Sequence, residues 1–153
     1  MQNINFEIVK YSDKYRQQVF DVWEKSVLAT HSFLTTEDFY AIRKIVGTID
    51  FNAFDVYCLT TETKVIGFVG SADKKLEMLF LSPDYFGKGL GKRLLDFAVL
   101  ELKADKVDVN EQNIKAVEFY KKYGFTVYKR TDKDEQGRNY PILKMALNQL
   151  NHS

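Results

Sequence analysis

Three of the chain's eight glycines lie within five residues, and basic residues stand among them: Gly87-Lys88-Gly89-Leu90-Gly91-Lys92-Arg93. A glycine has no Cβ, so its backbone N–H can approach a ligand closely. A helical pattern of apolar residues begins at Leu90, and the first N–H groups of a helix attract anions. The segment therefore predicts a backbone cradle for a phosphate group, in preference to a turn that needs glycine for its geometry alone.

Two nucleotide-binding motifs do not fit this glycine segment. A Walker A loop has a glycine five residues before the glycine of its Gly-Lys pair and a Ser or Thr after the pair. Those positions hold Phe86 and Arg93 here. A dinucleotide fingerprint that starts at Gly87 requires glycine where Lys92 stands, and it follows the first strand of its domain. We therefore do not expect a nucleoside triphosphate or a dinucleotide as the ligand.

The glycine segment lies within an alternating order of predicted strands and helices. Apolar patterns predict strands near residues 4–8, 55–60, 65–71, 76–81, 107–109, 125–131 and 142–147. Helical spacing predicts four helices that start near residues 12, 36, 90 and 113, the second of which runs to Ile49. The order β-α-α-β-β-β-α-β-α-β-β indicates an α/β (α+β) protein with helices packed on a mixed sheet.

Residues at the predicted helix ends are typical of caps. Ser12, Thr35 and Asn113 can each accept a backbone N–H at a helix start. Asp38, three residues after Thr35, resembles the second residue of a capping box. Gly124 is expected to end the last helix, because glycine adopts the left-handed conformation without steric cost.

Length and composition are those of one globular domain, which we expect to span residues 1–153. The 22 Lys and Arg nearly balance the 21 Asp and Glu, so the net charge of +1 gives no electrostatic reason to expect nucleic-acid or membrane binding. Cys58 is the only cysteine, which excludes an intrachain disulfide and a thiolate metal cluster and favours a buried thiol. No secretion signal or long apolar run is present, so we expect a soluble cytoplasmic protein. We also expect no metal.

The glycine segment and a second motif together resemble the GNAT superfamily of acyl-CoA-dependent N-acetyltransferases. The pyrophosphate loop of that family, Arg/Gln-x-x-Gly-x-Gly/Ala, aligns with Phe86-Gly-Lys-Gly-Leu-Gly91. Its Asn-x-x-Ala-x-x-Phe/Leu-Tyr element, followed by Gly-Phe, aligns with Asn113-Ile-Lys-Ala-Val-Glu-Phe-Tyr120 and Gly124-Phe125. Both motifs occur here in the order and at the separation that the family shows.

The resemblance covers nearly the whole chain and is closest to the bacterial YjaB-type acetyltransferases within that family. The segments that look like that group are Ser26–Leu34, Glu77–Phe80, Val109–Asn113 and Tyr140–Pro141. Phe86 departs from the family pattern, in which Arg or Gln begins the loop. Most of the cradle is backbone, so we expect binding to survive, with Lys88, Lys92 or Arg93 compensating.

The resemblance implies a mixed, mostly antiparallel central sheet of about seven strands flanked by four helices. Acetyl-CoA, the acetyl donor, would lie in a V-shaped opening between the strands at 76–81 and 106–109. Backbone groups of Leu79, Phe80 and Leu81 would pair with its pantetheine arm. The pyrophosphate would be held by the residues of the glycine segment: Gly87, Lys88, Gly89, Leu90, Gly91 and Lys92. Asn113 would contact the cofactor, cap its helix, or do both.

Acetyl transfer to an amine needs a stabilised oxyanion, a protonated leaving thiolate and a neutral nucleophile. The resemblance implies Tyr120 as the general acid that protonates the CoA thiolate. The backbone N–H of Phe80 is our candidate for polarising the thioester carbonyl. Tyr120 also lies on an apolar helical face, so a purely structural role is the alternative for it.

The general base is harder to assign from the sequence. An amine with a pKa of about 10 is almost entirely protonated at pH 7, so a proton acceptor or a water chain is required. Glu77 is our first choice, because burial of a carboxylate within the apolar run 76–81 would raise its pKa into a useful range. Asp108, where some relatives carry their base, and His31, where the family builds its acceptor pocket, are the alternatives.

These residues predict an acetyl-CoA-dependent N-acetyltransferase that moves an acetyl group directly to a primary amine of a small molecule, peptide or protein. A non-catalytic acyl-CoA-binding module on the same fold is the main alternative. The segment 23–49 is expected to select the acceptor, since it lies outside the cofactor motifs. The sequence leaves open which amine that is, and whether the protein is a monomer or a homodimer.

Overall fold

The computed structural model describes residues 5–147 and has the predicted order of helices and strands. Within that range the strands are β1 Glu7–Lys10, β2 Asp55–Thr61, β3 Lys64–Ala72, β4 Lys75–Leu81, β5 Lys106–Asn110, β6 Phe125–Thr131 and β7 Ile142–Leu147. The α-helices are α1 Arg16–Thr30, α2 Thr36–Val46, α3 Leu90–Leu100 and α4 Ile114–Tyr123. Ile4, which the alternating pattern assigns to the first strand, lies outside the described residues.

The strands form one sheet in the order β1-β2-β3-β4-β5-β7-β6. Every neighbouring pair is antiparallel except β4 and β5, which run parallel. Parallel neighbours need a long crossover connection, and the segment that contains α3 supplies it. The mixed, mostly antiparallel sheet that the resemblance implies is therefore confirmed.

The sheet is split between β4 and β5. Their pairing is limited to Lys75 opposite Lys106 and Leu76 opposite Val107, although β4 continues to Leu81. Beyond Leu76, the edge of β4 that faces β5 therefore has backbone N–H and C=O groups without a strand partner. The result is a V-shaped opening in the sheet.

A β-bulge in β4 lies beside this opening. The register places Gly70 opposite Met78 but Ser71 opposite Leu76, so Glu77 is an extra residue without a partner in β3. Residues two apart in a regular strand share a face. Here Leu76 belongs to the core on one face of the sheet and Met78 to the core on the other. The bulge therefore changes the face to which the following residues of β4 point.

The two apolar cores hold the helices on opposite faces of the sheet. The core on one face combines residues of α3 and α4 with residues of the strands beneath them: Leu94, Leu95 and Val117 from the helices, and Leu59, Ile66, Phe125 and Met145 from the sheet. The core on the other face combines Val19, Trp23 and Phe39 of α1 and α2 with Phe51, which precedes β2, and with Cys58 and Phe68 of the sheet. Burying one large apolar side chain contributes about 1.5–3 kcal/mol, so these contacts dominate the packing of the helices on the sheet.

Cys58 is fully buried, as predicted. Burial raises the pKa of its thiol to about 12, so at neutral pH the sulfur is an unreactive apolar group within the core. Among the described helices, none combines the length and the apolar character that crossing a membrane would require.

Three of the predicted helix caps are formed. Thr35 Oγ1 accepts the Asp38 N–H at 3.1 Å, and Asn113 Oδ1 accepts the Ala116 N–H at 3.2 Å. Gly124 follows α4 with a φ of 127°, which only glycine adopts readily. Local side-chain chemistry thus determines where α2 and α4 begin and where α4 ends.

Two predicted helix boundaries are wrong. The Ser12 hydroxyl makes no capping hydrogen bond, because a short 3₁₀ turn follows it and α1 begins only at Arg16. The second helix ends at Val46 rather than Ile49. The Arg16 guanidinium donates to the carbonyls of Gly47 and Ile49, which follow the helix, at 2.9 Å each. A side chain, and not another helical turn, therefore bonds these two carbonyls after Val46.

Candidate active site

One cleft lies at the opening between β4 and β5 and extends along the glycine segment. Its volume is about 540 Å³, within the usual range of about 300–1,000 Å³ for small-molecule sites. We call it the glycine-loop cleft. Its lining residues come from the end of α1, from β4, from the glycine segment and from α4: Ser26, Thr30, His31, Leu79, Phe80, Leu81, Phe86, Gly87, Gly89, Gly91, Lys92, Asn113, Lys115, Ala116, Phe119 and Tyr120.

Most of the predicted site residues meet in this cleft. Lys88 and Leu90 are the exceptions among the predicted donor-binding residues, since Lys88 is exposed outside the lining and the Leu90 side chain packs in the core. Of the two predicted catalytic residues, Tyr120 lines the cleft and Glu77 lines a neighbouring pocket.

The glycine segment has a backbone conformation that other residues adopt only with strain. Gly87 and Gly89 each have a φ of 77°, where an L-residue costs roughly 1–2 kcal/mol. An added Cβ would meet no atom within 4 Å at either position, so the space beside this backbone is open. Gly89 precedes α3, whose first N–H groups, those of Leu90, Gly91 and Lys92, have no acceptor within the helix. Free N–H groups beside open space fit an anion such as a pyrophosphate.

The basic side chains of the glycine segment have different partners. Lys92 lines the cleft, and its Nζ lies 3.2 Å from Asp96 Oδ2. Arg93 Nη2 donates to the Phe6 carbonyl at 2.8 Å, so this guanidinium ties α3 to the chain before β1. Phe86, which stands where the family pattern has Arg or Gln, lines the cleft and is 43% exposed. Lys92 is therefore better placed than Arg93 to compensate for Phe86.

Tyr120 belongs to the part of the cleft wall that α4 supplies. Its side chain is buried, and its ring makes edge-to-face contacts with Phe119 and Phe125 at centroid distances of 5.1 and 5.7 Å. Burial raises the pKa of Tyr120, because a phenolate there would lose its hydration. The phenol is therefore protonated at neutral pH, and the ring contributes to the core and to the cleft at once.

His31 belongs to the part of the wall that comes from the other face of the sheet, directly after α1. Its Nδ1 lies 2.7 Å from Thr30 Oγ1, and its ring lies 5.2 Å from the Phe33 ring. Burial lowers the pKa of His31 to about 4, because an imidazolium there would lose its hydration. His31 is therefore neutral at pH 7.

Glu77 and Asp108 line a second pocket of about 380 Å³ between β4, β5 and the β6–β7 connection, which we call the charged pocket. Lys75 Nζ lies 2.8 Å from Asp108 Oδ2 and 4.0 Å from Glu77 Oε1. Lys144 Nζ lies 3.3 Å from Asp108 Oδ2. Burial raises the pKa of Glu77, while the charge of Lys75 opposes the rise. Neither carboxylate lines the glycine-loop cleft, although Glu77 is only two residues before Leu79 on β4.

A hydrogen-bonded contact joins the β6–β7 connection to the start of α2, near His31. The Tyr140 hydroxyl donates to Asp38 Oδ2 and accepts the Thr35 N–H at 3.3 Å. Arg138 Nε lies 3.4 Å from Asp38 Oδ1, and the Tyr140 ring packs on Phe33. In a complete capping box the Asp38 side chain would bond the Thr35 N–H itself. Tyr140 takes that position between them, from 102 residues further along the chain.

Ser26, Thr30 and Lys115 line the cleft without having been predicted as site residues. Ser26 and Thr30 are one turn apart on α1, and Thr30 Oγ1 donates to the Ser26 carbonyl at 2.7 Å. A signal for this pair was present in the sequence, because both residues continue the helical stripe that begins with Val19 and Trp23. Polar residues within a buried stripe need partners or a function.

Comparison with known proteins matches the chain to a family and to characterised relatives. Residues 13–148 match the family described as Acetyltransferase (GNAT) domain. Peptidyl-lysine N-acetyltransferase YjaB of Salmonella typhimurium is 33% identical over 129 residues, which are 84% of this chain and 89% of the relative. The Escherichia coli protein of the same name is 33% identical over 130 residues, 85% of this chain and 88% of the relative.

Two solved structures show the same architecture. The solution structure of apo-form YjaB from Escherichia coli has a TM-score of 0.85 and 30% sequence identity, and the match covers 93% of this chain and 97% of that one. An acetyltransferase from Bacillus anthracis, solved in complex with acetyl coenzyme A, has a TM-score of 0.55 and 19% identity over 65% of this chain and 68% of its own. At 19% identity, the match to the Bacillus anthracis structure supports the fold assignment alone.

Proposed function

As a member of the GNAT family of acetyltransferases, this chain is an acetyl-CoA-dependent N-acetyltransferase, and we propose that its acceptor is the side-chain amine of a lysine in a peptide or protein. The observation that carries the proposal is the match to two peptidyl-lysine N-acetyltransferases over 89% and 88% of their lengths. The charged pocket supports it, because it is lined by residues of β4 that come just before those of the cleft, and by side chains of both signs. Such a surface can contact a polypeptide on either side of a lysine.

The donor is held, in this proposal, largely by backbone. The unpaired edge of β4 offers the N–H and C=O groups of Leu79 and Leu81 to the amides of the pantetheine arm, in the manner of an added strand, whereas those of Phe80 face β3. The open segment from Gly87 to Lys92 offers its N–H groups to the pyrophosphate. Asn113 lies in the same cleft, and its side chain already caps α4.

The chemistry assigned to the chain needs two polar groups near the thioester. The sequence assigns polarisation of the carbonyl to the Phe80 N–H, but Phe80 lies opposite Phe68, two residues before the Ser82 N–H that bonds the Ile66 carbonyl, so its N–H faces β3. The N–H of Leu79 or Leu81, at the open edge, polarises the carbonyl and stabilises the oxyanion instead. The Tyr120 phenol donates its proton to the departing thiolate. A phenol is a weaker acid than a thiol, and burial weakens Tyr120 further. The proton therefore moves only as negative charge develops on the sulfur.

Glu77 is the base that the sequence predicts, and it is the rival of the assignment to His31 that is made below from the geometry of the cleft. Its raised pKa favours that role, since a carboxylate accepts a proton more readily as its pKa approaches the working pH. The Glu77 side chain lines the charged pocket, and it would act on an amine that approaches from there. The experiment on His31 below includes Glu77 as its rival.

A peptide panel tests the acceptor. We expect a peptide with a blocked N-terminus and one internal lysine to be acetylated at that lysine, because the lysine side chain is long enough to carry its primary amine into the cleft. The matched control replaces the lysine by arginine, and a third peptide combines the arginine with a free N-terminus. Mass spectrometry locates the acetyl group. Acetylation confined to the free N-terminus, or to small amines tested alongside, would overturn the lysine acceptor and leave acetyl transfer intact.

A further inference from the structure

The hydrogen bonds at the end of α1 determine which nitrogen of His31 carries a proton. Thr30 Oγ1 lies 2.7 Å from the Ser26 carbonyl oxygen and 2.7 Å from His31 Nδ1. A hydroxyl has one hydrogen, and a carbonyl oxygen can only accept. Both contacts are hydrogen bonds only if the Thr30 hydroxyl donates to the Ser26 carbonyl and His31 Nδ1 donates to Thr30 Oγ1.

This arrangement leaves a lone pair on the other ring nitrogen of His31. A neutral imidazole has one N–H, so protonation of Nδ1 makes Nε2 an acceptor. Burial lowers the pKa of His31 to about 4, so the ring is neutral at pH 7 and is a weaker base than an exposed imidazole. The proton it can take is therefore that of the amine nitrogen after this has bonded to the carbonyl carbon, when the nitrogen carries a positive charge. The ring lines the glycine-loop cleft, where a neutral acceptor is the chemical requirement for an amine that must lose a proton.

We propose that His31 Nε2 accepts the proton of the acceptor amine during acetyl transfer. The proposal rests on the proposed function, because it needs an amine in the glycine-loop cleft. His31 directly follows α1 and Tyr120 belongs to α4, so a proton acceptor and a proton donor from opposite faces of the sheet line the same cleft. The carboxylates of Glu77 and Asp108 lie near Lys75 in the charged pocket instead.

The transfer balances with these two groups. The neutral amine nitrogen forms a bond to the thioester carbonyl carbon, and the nitrogen, now positively charged, gives its proton to His31 Nε2. The carbon–sulfur bond then breaks, and the leaving thiolate takes the phenolic proton of Tyr120. The products are an amide and the CoA thiol. The imidazolium afterwards releases its proton to water, and the tyrosinate recovers one from water.

The tautomer can be measured without any activity. Long-range ¹H–¹⁵N NMR correlations of the histidine rings distinguish a protonated from an unprotonated nitrogen. For His31 in the full chain at pH 7 we expect a protonated Nδ1 and an unprotonated Nε2, with His31→Asn used to assign the signals. A proton on Nε2, or a doubly protonated ring, would overturn the proposal, because no lone pair would then be available.

Kinetics test the role of Nε2 itself. Asparagine at position 31 keeps an N–H donor for Thr30 Oγ1 and removes the ring nitrogen that accepts the proton. We expect His31→Asn to lower kcat for lysine-peptide acetylation by about 10²-fold or more, with an unchanged Kd for acetyl-CoA. In His31→Ala, added imidazole should restore part of the lost kcat in proportion to its neutral form, an effect that a purely structural role would not produce.

Glu77→Gln is the rival variant in the same assay. A smaller loss of kcat in Glu77→Gln than in His31→Asn supports His31 as the proton acceptor. A larger loss in Glu77→Gln, or a wild-type kcat in His31→Asn, overturns the proposal. If the wild-type chain acetylates no lysine, the proposed function fails in that assay, whereas the NMR result still decides whether His31 offers a lone pair.

Discussion

Replacing Tyr120 by phenylalanine should lower kcat by about 10²–10⁴-fold, the range expected when a general acid is removed. The affinity for acetyl-CoA should not change, because the ring and its contacts with Phe119 and Phe125 remain. The measurement is CoA thiol release under conditions where no pre-steady-state burst is seen, so that chemistry limits the rate. Thermal unfolding of the variant confirms that the loss does not come from the fold.

Tyr123→Phe is the matched control on the same helix. Its hydroxyl donates to Asp96 at 2.8 Å, outside the lining of the glycine-loop cleft, so its removal should leave kcat unchanged. A wild-type kcat in Tyr120→Phe would show that water or another group protonates the thiolate.

The pH dependence of kcat is a second test of Tyr120 as the general acid. The acid form of Tyr120 is required, so activity is lost as the pH rises through its pKa, which burial moves above the ordinary value. We therefore expect no alkaline fall in kcat below about pH 10. A fall near pH 8 would point to a different acid.

Replacing Gly89 by alanine should weaken acetyl-CoA binding by about tenfold or more, the equivalent of about 1.4 kcal/mol or the loss of one charge-assisted hydrogen bond. The new Cβ would occupy the open space beside the N–H groups at the start of α3. Isothermal titration of the variant with acetyl-CoA measures the effect. An alanine at position 89 must also adopt the positive φ of Gly89, and this conformation costs roughly 1–2 kcal/mol of stability.

Gly137→Ala separates the two effects. Gly137 has a φ of 78°, and a Cβ there would also meet no atom within 4 Å, but the residue lies in the β6–β7 connection outside the cleft. Both variants should therefore lose similar stability, and only Gly89→Ala should lose affinity. Equal affinities in the two variants would exclude the cradle.

The order of elements was predictable because each one is marked by local chemistry. The apolar patterns, the Thr35 and Asn113 caps and the Gly124 end all act within a few residues, and the structure confirms them. The predicted Ser12 cap was wrong, because a 3₁₀ turn lies between Ser12 and the start of the first α-helix. The predicted end of α2 was wrong because Arg16, which bonds the Gly47 and Ile49 carbonyls just after the helix, lies about thirty residues earlier in the sequence.

The walls of the cleft were predictable only in part. The glycine segment and Tyr120 belong to motifs, so their spacing reveals them. The position of Glu77 depends on a bulge in β4, which an alternating pattern does not reveal. The tautomer of His31 depends on Thr30, and the contact between Tyr140 and Asp38 spans 102 residues. Such contacts exist only after the chain has folded.

The most direct test of acetyl transfer by this chain is a mass balance in one reaction. Purified protein is mixed with acetyl-CoA and the lysine peptide, and CoA thiol and acetyl-lysine are quantified in the same samples over time. We predict that both products appear in equal amounts at a rate proportional to the protein. Saturable binding of acetyl-CoA with neither product formed, across the lysine peptide and the other amines, would contradict the account and identify a binding module on the same fold.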